Sequence, residues 1–402
     1  MNRKKIEDLG KVISGGTPST KNKNYWGGDI PWITPKDLSN HSSMFISKGE
    51  RAITEEGLKN SSAYVVPAGT VLFSSRAPIG YLAIATENVT TNQGFKNIVV
   101  NESNDNLFIY YLLKNNIKFI ESHANGSTFK EISANVFKKL EFDIPSVGVQ
   151  KKISKVLFLL DSKIELNKQI ISILEELAST LFKRWFVDFE FPNEDGNPYK
   201  SSGGKMVDSE LGEIPAGWCT NVIGNVMDNY DRKRVPVSKM ERAKRVGKYP
   251  YYGAASLMDY IDDFLFDGKY LLLGEDGTVI NQNGGPVLQY VWGKFWVNNH
   301  AHVLRGRYPI TTEWLYLWFK QIKVASIITG AVQPKISQKN LNGLSIVVPD
   351  DKVLEKFNHI LYSFFEKRIQ ASNEKRTLEH IRDSLLPKLL SGEIEIPQSE
   401  DV

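Results

Sequence analysis

Hydrophobic positions follow a helical period in two long stretches of the chain. Between about residues 149 and 184, apolar side chains recur every three or four positions, at Ile153, Val156, Leu157, Leu160, Ile164, Ile170, Ile171, Leu174, Leu177 and Leu181, with Asn167 at a core position midway. The same period returns more weakly beyond residue 351, at Phe357, Ile360, Leu361, Phe364, Leu378, Ile381 and Leu385. This spacing predicts two amphipathic helices.

Each helix would hold roughly 35 residues and measure about 52 Å, so its apolar stripe needs a partner along most of its length. Two such helices in one chain can cover each other, which predicts an antiparallel coiled coil. In the alternative, each helix packs only on its own domain, and about five turns would then overhang it.

The stretches before each helix have short β-like runs punctuated by Gly and Pro, followed by one ordinary helix. The first stretch shows Thr70–Phe73 and Lys96–Val100 before a helix at Leu107–Asn115. The second shows Tyr270–Leu273 and Ala301–Leu304 before a helix at Thr312–Lys320. The predicted fold class is therefore α/β, more exactly α+β, with mixed sheets and helices in two globular domains.

The chain contains an internal repeat with a constant offset of 204 residues. The offset joins Gly126 to Gly330, Ile132 to Ile336, Ser133 to Ser337, Leu140 to Leu344, Pro145 to Pro349, Leu174-Glu175 to Leu378-Glu379 and Leu181 to Leu385. One register held over about sixty positions indicates a tandem duplication. The globular parts Lys11–Leu38 and Asp228–Tyr252 do not align, which suggests one shared scaffold that carries two different surfaces.

These patterns predict six segments. They are a first globular domain (1–146), a first long helix (147–190), a linker rich in Pro, Asn, Gly and Ser (191–208), a second globular domain (209–350), a second long helix (351–392) and a tail (393–402).

Composition narrows the class of protein. The 402 residues include 41% hydrophobic and 24% charged residues, with 50 Lys and Arg against 46 Asp and Glu, a formal net charge of +4. This composition excludes disorder over most of the chain and a surface that is basic throughout. Any surface that binds nucleic acid must therefore be a local basic region. The single cysteine, Cys219, excludes a disulfide framework. With no signal peptide and no apolar run of about 18 residues, we expect a soluble cytoplasmic protein with no membrane partner.

Motifs for bond chemistry are missing from the sequence. It has no P-loop motif, no dinucleotide-binding glycine motif and no HExxH. His300 and His302 lie on one strand face without a nearby third ligand, which favours packing roles over metal binding. Asp350 and Asp351 lie where the second long helix is predicted to start, and Asp350 is interpreted as a negative charge at the helix N-terminus. We therefore expect no catalytic residue, no metal site and no cofactor.

The strongest charge feature is the segment Arg232–Lys248, with eight basic residues and one acidic residue in 17 positions. Such a cluster is suited to phosphate neutralisation, although a solvated face gives the same pattern. Arginine can reach guanine edges, and carboxamides suit adenine. The DNA-binding candidates are Lys36, Arg76, Gln93 and Lys96 in the first half, and Arg232, Lys233, Arg234, Lys239 and Asn299 in the second.

Several strings in this order resemble the specificity (S) subunit of type I restriction–modification enzymes. They are Ile6-Glu-Asp-Leu-Gly-Lys-Val-Ile-Ser-Gly-Gly-Thr-Pro-Ser19, Trp26-Gly-Gly-Asp-Ile-Pro-Trp-Ile-Thr34, Thr91-Asn-Gln-Gly-Phe95, Ser209-Glu-Leu-Gly-Glu-Ile-Pro-Ala-Gly-Trp218 and Leu385-Leu-Pro-Lys-Leu-Leu-Ser-Gly-Glu-Ile394. The resemblance implies two target-recognition domains, each reading one half of a split, asymmetric site in double-stranded DNA. It also implies a non-catalytic subunit whose helices act as a spacer and dock two methyltransferase subunits, with restriction (translocase and nuclease) subunits joining for cleavage.

Two other interpretations remain open on sequence grounds. The chain could be a coiled-coil scaffold that joins proteins without a DNA role. It could also be a self-contained DNA methyltransferase or nuclease with an unrecognised active site.

Overall fold

A computed structural model describes residues 1–39, 41, 43–126, 130–330 and 332–396. The chain forms two compact units, one of Met1–Asn167 with Glu374–Val402 and the other of Lys168–Asn373. Each unit holds one globular domain and part of both long helices. The units thus divide the long helices, whereas the sequence suggested boundaries at the helix ends.

Strands β1 to β10 build the described part of the first unit. They are β1 (Asn2–Lys5), β2 (Gly10–Ser14), β3 (Trp26–Ile33), β4 (Phe45–Ile46), β5 (Arg51–Ile53), β6 (Val71–Ser75), β7 (Ile79–Ala85), β8 (Thr90–Thr91), β9 (Lys96–Val100) and β10 (Glu141–Ile144). A five-stranded sheet has the order β2-β9-β6-β7-β4, a three-stranded sheet the order β5-β3-β8, and β1 pairs with β10. Strands β6 and β9 are largely buried because the sheet is covered by apolar residues.

The shorter helices of the first unit cover this core. They span Ile6–Leu9, Pro35–Ser39, Glu55–Lys59, Asn106–Asn115, Ile117–Ser122 and Ala134–Lys139, with a 3₁₀ turn at Lys23–Tyr25. The Asp105 carboxylate accepts a hydrogen bond from the Phe108 N–H, and this cap starts the helix Asn106–Asn115. Phe108 and Tyr111 of that helix are fully buried in the same apolar cluster as Phe73 of β6.

Strands β11 to β24 belong to the second unit. They are β11 (Met206–Ser209), β12 (Gly212–Pro215), β13 (Cys219–Val222), β14 (Met227–Asn229), β15 (Val246–Tyr252), β16 (Leu257–Ile261), β17 (Phe266–Asp267), β18 (Tyr270–Gly274), β19 (Leu288–Val291), β20 (Lys294–Val297), β21 (Ala301–Gly306), β22 (Ile328–Thr329), β23 (Lys335–Ile336) and β24 (Ser345–Val348). Two four-stranded sheets have the orders β14-β21-β18-β19 and β16-β15-β20-β17, and β11-β12, β13-β24 and β22-β23 form pairs.

Aromatic residues fill the core of the second unit. Its shorter helices are Ile223–Val226, Lys239–Arg242, Thr312–Gln321 and Gln338–Asn342, with 3₁₀ turns at Asp231–Lys233 and Ala325–Ile327. Trp314 and Phe319 on one of these helices are buried in one cluster with Phe182 and Phe357 of the long helices. The segment 191–208, whose composition is typical of a linker, is ordered by ring contacts, because Phe191 stacks on both Tyr199 and Trp218.

The two long helices are Val147–Phe186 and Asp351–Ser391. In the first unit, Arg382 contacts Asp161 at 2.6 Å and the buried Asn167 donates to Glu374 at 3.0 Å. In the second unit, Arg368 donates to Glu175 at 2.7 Å, and the ring of Phe186 lies 4.6 Å from that of Phe357. Later residues of one helix meet earlier residues of the other in both units, so the antiparallel pairing and the α+β class are confirmed.

The globular domains share a sheet order that their sequences conceal. Strands β2, β9, β6 and β7 occur in the same order as β14, β21, β18 and β19. The second sheets also agree, since β8 runs parallel to β3 and β20 runs parallel to β15. Among the described residues, no helix is long and apolar enough to cross a membrane.

Candidate nucleic-acid interface

The basic segment of the second domain is fastened to the sheet by a buried ionic network. Arg234 donates to Glu275 at 2.6 Å and to the carbonyl of Ala301 at 2.7 Å, while its guanidinium lies 3.6 Å from Asp231. Lys335 approaches the other oxygen of Glu275 at 3.2 Å. Arg234 therefore stabilises the start of the segment, and little of its side chain is exposed.

His302 completes this network from β21. Its side chain is 1% exposed, and its two ring nitrogens lie 2.6 Å from the Asp231 carboxylate and 2.8 Å from the Ile336 carbonyl. Both neighbours offer oxygen acceptors, so each ring nitrogen lies within hydrogen-bond distance of an acceptor and the ring is held on both sides.

The neighbouring groups lower the pKa values of the Asp231 and Glu275 carboxylates. Burial alone would raise the pKa of Asp231, but the hydrogen bond from His302 and the nearby cations hold it below its usual value. Burial likewise opposes ionisation of Glu275, but the hydrogen bond from Arg234 and the other nearby cations outweigh it, so the pKa of Glu275 is also lowered.

Asp231, Glu275 and His302 also bring three potential metal-ligand atoms within 4.8 Å of one another. Both ring nitrogens of His302 already face oxygen acceptors, and Arg234 and Lys335 already pair with the carboxylates. Protein cations thus occupy the place that an ion would take, and we assign the cluster a structural role.

The other basic residues of the segment divide into two groups. Arg242 is buried, donating to the Val237 carbonyl at 2.7 Å, and Arg245 pairs with Asp262 at 2.8 Å. The exposed cations are Arg232, Lys233, Lys239, Lys244 and Lys248. The sequence-predicted residues Arg232, Lys233 and Lys239 therefore present their charge to solvent, whereas Arg234 does not.

Asn299 lies at the tip of the turn that enters β21. Its side chain is exposed, and its backbone carbonyl accepts a bond from Arg234 at 3.3 Å. The next residue, His300, pairs with Asp276 at 2.5 Å. The network just described thus reaches the backbone of this turn and holds Asn299 near the basic segment.

In the first domain the candidates lie in a short helix, in two loops and at the start of strand β9. Lys36 is exposed in the helix Pro35–Ser39 and pairs with Glu50 at 3.0 Å. Arg76 follows β6, is about one-third exposed and pairs with Glu131 at 3.3 Å. Gln93 is exposed and accepts a hydrogen bond from the Thr17 hydroxyl.

Lys96 differs from these residues because it is buried. It is 5% exposed, donates to the Ser75 hydroxyl at 3.2 Å and lies 3.9 Å from Glu131. Burial lowers its pKa, which the carboxylate of Glu131 only partly counters. Lys96 therefore supports the loop from within.

The segments that carry Lys36, Arg76 and Gln93 come close together in the first domain. Gly94 shows this closeness, since a Cβ built there would lie 3.4 Å from the Pro35 ring and 3.6 Å from the Arg76 side chain. Sequence reasoning missed the residues that hold these loops, namely Thr17, Glu131, Asp231, Glu275 and Lys335. No local signal marks Thr17, Glu131, Glu275 and Lys335, because they act on residues distant in the sequence, whereas the spacing of Asp231 to Arg234 by three residues is a local signal.

Comparisons with known proteins agree with this architecture. Residues 1–176 and 215–380 match the family model described as "Type I restriction modification DNA specificity domain". Over 98% of its length the chain is 35% identical to the type I restriction enzyme MjaIX specificity subunit of Methanocaldococcus jannaschii, with 94% of that protein covered. The type I restriction enzyme EcoprrI specificity subunit of Escherichia coli is 22% identical over 90% of each chain.

A solved structure supports the fold independently. The crystal structure of the S subunit of a type I restriction–modification system from M. genitalium matches with a TM-score of 0.64 at 17% identity, covering 96% of this chain and 95% of that one. The family model matches both halves of the chain, as the internal repeat requires. The chain belongs to the family of type I restriction–modification DNA specificity subunits.

Proposed function

We propose that this chain is the non-catalytic DNA-recognition subunit of a type I restriction–modification complex. Its two globular domains each read one half of an asymmetric, two-part site in double-stranded DNA. Methyltransferase subunits, which carry the base-flipping chemistry, and restriction subunits are its proposed protein partners.

One observation carries the proposal. Both domains contain four strands in the same order, yet the loop after the central strand carries Arg76 in the first domain and Asp276 in the second. A constant frame with variable loops is the arrangement that sequence-specific recognition needs, because the frame positions the loops and the loop side chains contact the base edges.

Exposed cations support contact with the phosphate backbone. In the second domain these are Arg232, Lys233 and Lys239, and in the first domain Lys36 and the partly exposed Arg76. Lysine and arginine at such positions neutralise phosphates and release counterions. Lys96 and Arg234, both held inside the protein, take positioning roles in this proposal rather than direct contact.

The first long helix supports the proposed protein partners. It exposes a row of large apolar residues, Leu159, Leu166, Ile173 and Leu177. The repeat places Ser363, Gln370, Thr377 and Ile381 at the corresponding positions of the second helix. An exposed apolar row on a helix is typical of a docking surface, and we propose that a methyltransferase subunit covers it.

The test is the methylation pattern produced by the chain together with its methyltransferase partner in a host that lacks adenine methylation. A two-part motif with a fixed gap is the expected result. Replacing Arg232, Lys233 and Lys239 by Gln should weaken DNA binding at all sequences and reduce the salt slope by about 0.9 for each phosphate that is no longer neutralised.

Lys356→Gln is the matched control, since Lys356 is an exposed lysine on the second long helix outside the loops. It should leave the salt slope unchanged. If the assembled complex does not bind DNA, the proposal is overturned and a role as a protein scaffold is favoured. Methylation by the purified chain without partners would favour a self-contained enzyme.

A further inference from the structure

One turn of the first domain is defined by three hydrogen bonds, each donated by a backbone N–H group. The N–H of Asn92 donates to the carbonyl of Ile33 at 3.0 Å, where β3 ends. The N–H of Gly94 donates to the side-chain oxygen of Asn92 at 2.9 Å. The N–H of Ser75, at the end of β6, donates to the carbonyl of Gly94 at 2.7 Å. The turn is thereby tied to two strands.

The second domain has the same three bonds in the same order. The N–H of Asn298 donates to the carbonyl of Tyr252 at 3.1 Å, where β15 ends. The N–H of His300 donates to the side-chain oxygen of Asn298 at 2.9 Å, and the N–H of Glu275 donates to the carbonyl of His300 at 2.8 Å. The two turns are therefore structurally equivalent, residue by residue.

The residue at the centre of each turn carries an exposed carboxamide. It is Gln93 in the first domain and Asn299 in the second. The residue before the exposed one, Asn92 or Asn298, uses its own side chain to fix the turn. In the first domain the Thr17 hydroxyl also bonds the Gln93 side-chain oxygen, which leaves its NH₂ group and one lone pair available.

A carboxamide presents one donor and one acceptor side by side. This pattern matches N7 and the N6 amino group of adenine in the major groove, and it matches no other base edge as well. The turn at each position is held by hydrogen bonds from its backbone, so little loop entropy is lost when the contact forms.

We infer that Gln93 and Asn299 are equivalent specificity-determining residues, each reading one A·T pair in its own half-site through its carboxamide. Asn92 and Asn298 are the positioning residues that hold the two turns. This inference rests on the proposed function and adds to it a shared reading position and the base that is read there.

The experiment maps methylated motifs for the full chain assembled with its methyltransferase partner. Gln93→Ala should make one A·T position of one half-site degenerate, lowering the preference for that pair by roughly tenfold or more, and leave the other half-site unchanged. Asn299→Ala should do the same in the other half-site only. The unaffected half-site in each variant shows that the protein is folded and assembled.

Conservative and positioning variants sharpen the test. Gln93→Asn should keep the preference for the same pair at a reduced methylation rate. Asn92→Ala should relax the same base pair as Gln93→Ala, whereas Asn92→Asp, which retains the acceptor oxygen, should preserve it. A merely structural role would lower the yield of complex without making one position degenerate.

Exposed amides elsewhere in each domain serve as controls. Asn60 ends a short helix of the first domain, and Asn225 lies in the helix Ile223–Val226 of the second. Asn60→Ala and Asn225→Ala should both leave the motif unchanged. An unchanged motif in Gln93→Ala and Asn299→Ala, or a change of the same half-site in both, would overturn the inference. A wild-type complex without a two-part motif would instead overturn the proposed function.

Discussion

The two globular domains differ most where their central strands end. An isolated backbone β-bridge joins Arg76 to Glu131 in the first domain, and a β-bridge at the corresponding position joins Asp276 to Lys335 in the second. The basic residue precedes the acidic one in the first pair and follows it in the second. We call the region around each of these β-bridges the corner of its domain. Strand β9 begins at Lys96 beside the first corner, strand β21 contains His302 beside the second, and both side chains are buried.

The hydrogen-bond partners of the two buried side chains, Lys96 and His302, also differ. His302 lies between an anion and a carbonyl in the network that includes Arg234 and Glu275, whereas Lys96 donates to a hydroxyl and has a carboxylate at 3.9 Å. The hydrogen bonds of the two turns are the same in both domains, while the charged residues around them differ. Loop chemistry can diverge in this way without loss of the fold.

Removal of Arg234 is the strongest test of the difference. Arg234→Ala leaves Asp231 and Glu275 buried with fewer partners, so the free energy of unfolding should fall by about 3 kcal/mol. Arg76→Ala removes an ion pair whose side chains are 37% and 40% exposed, so the free energy of unfolding should fall by less than about 1 kcal/mol. Urea unfolding of the two variants checks this, and equal decreases would show that the second corner is no more dependent on its ions than the first.

Replacement of the buried His302 and Lys96 should change the stability of the protein by different amounts. His302→Leu removes the partner of Asp231 and should destabilise the protein by about 2 kcal/mol, because a buried carboxylate loses its hydrogen bond. Lys96→Met removes a poorly solvated ammonium group, so stability should change by less than about 1 kcal/mol in either direction. The midpoint of thermal unfolding measures both, and a larger decrease for Lys96→Met would reverse the comparison.

Acid should weaken the second domain through its carboxylates. The folded-state pKa values of Asp231 and Glu275 are lowered, so their stabilisation is complete above the unfolded values of about 4 and is lost as the pH falls through the folded values. Hydrogen exchange at pH 7, 5 and 3 should show the second domain opening more readily at the lowest pH. Asp231→Asn should be less stable at pH 7 and show a shallower decline; the wild-type slope in this variant would contradict the assignment.

Exposed cations should have the smallest effect on stability. Lys36→Ala and Lys239→Ala remove side chains that solvent already surrounds, so neither should shift the thermal midpoint measurably. Their effect should be confined to DNA affinity. A clear loss of stability in either variant would mean that the exposed loops contribute to the fold as well as to binding.

The long helices show how far the sequence pattern reaches. The period predicted a helix over about 149–184, and the structure has Val147–Phe186, with Ile153 and Leu157 buried as expected. Asn167, predicted at a core position, is 1% exposed and bonds Glu374. Leu177 shares the period yet is exposed. Spacing identifies a helix, but a partner decides which apolar positions are covered.

The sequence pattern did not predict that the two domains share a strand order. The parallel pairing of β3 with β8 joins Trp32 to Thr90, and that of β15 with β20 joins Tyr251 to Trp296. Such pairings depend on backbone hydrogen bonds between residues dozens of positions apart. Backbone bonds are compatible with many side chains, so they leave little trace in the residues themselves.

The sequence by itself determined the duplication, the two amphipathic helices, the mixed α+β class and the resemblance to the family. Those features follow from local periodicity and from residues repeated in register. Only the tertiary structure decided which of the basic residues face solvent, since Arg232 and Lys239 are exposed while Arg234 and Arg242 are held by acceptors inside the protein. Burial of a charge depends on partners brought from distant parts of the chain, and that information appears only when the chain is folded.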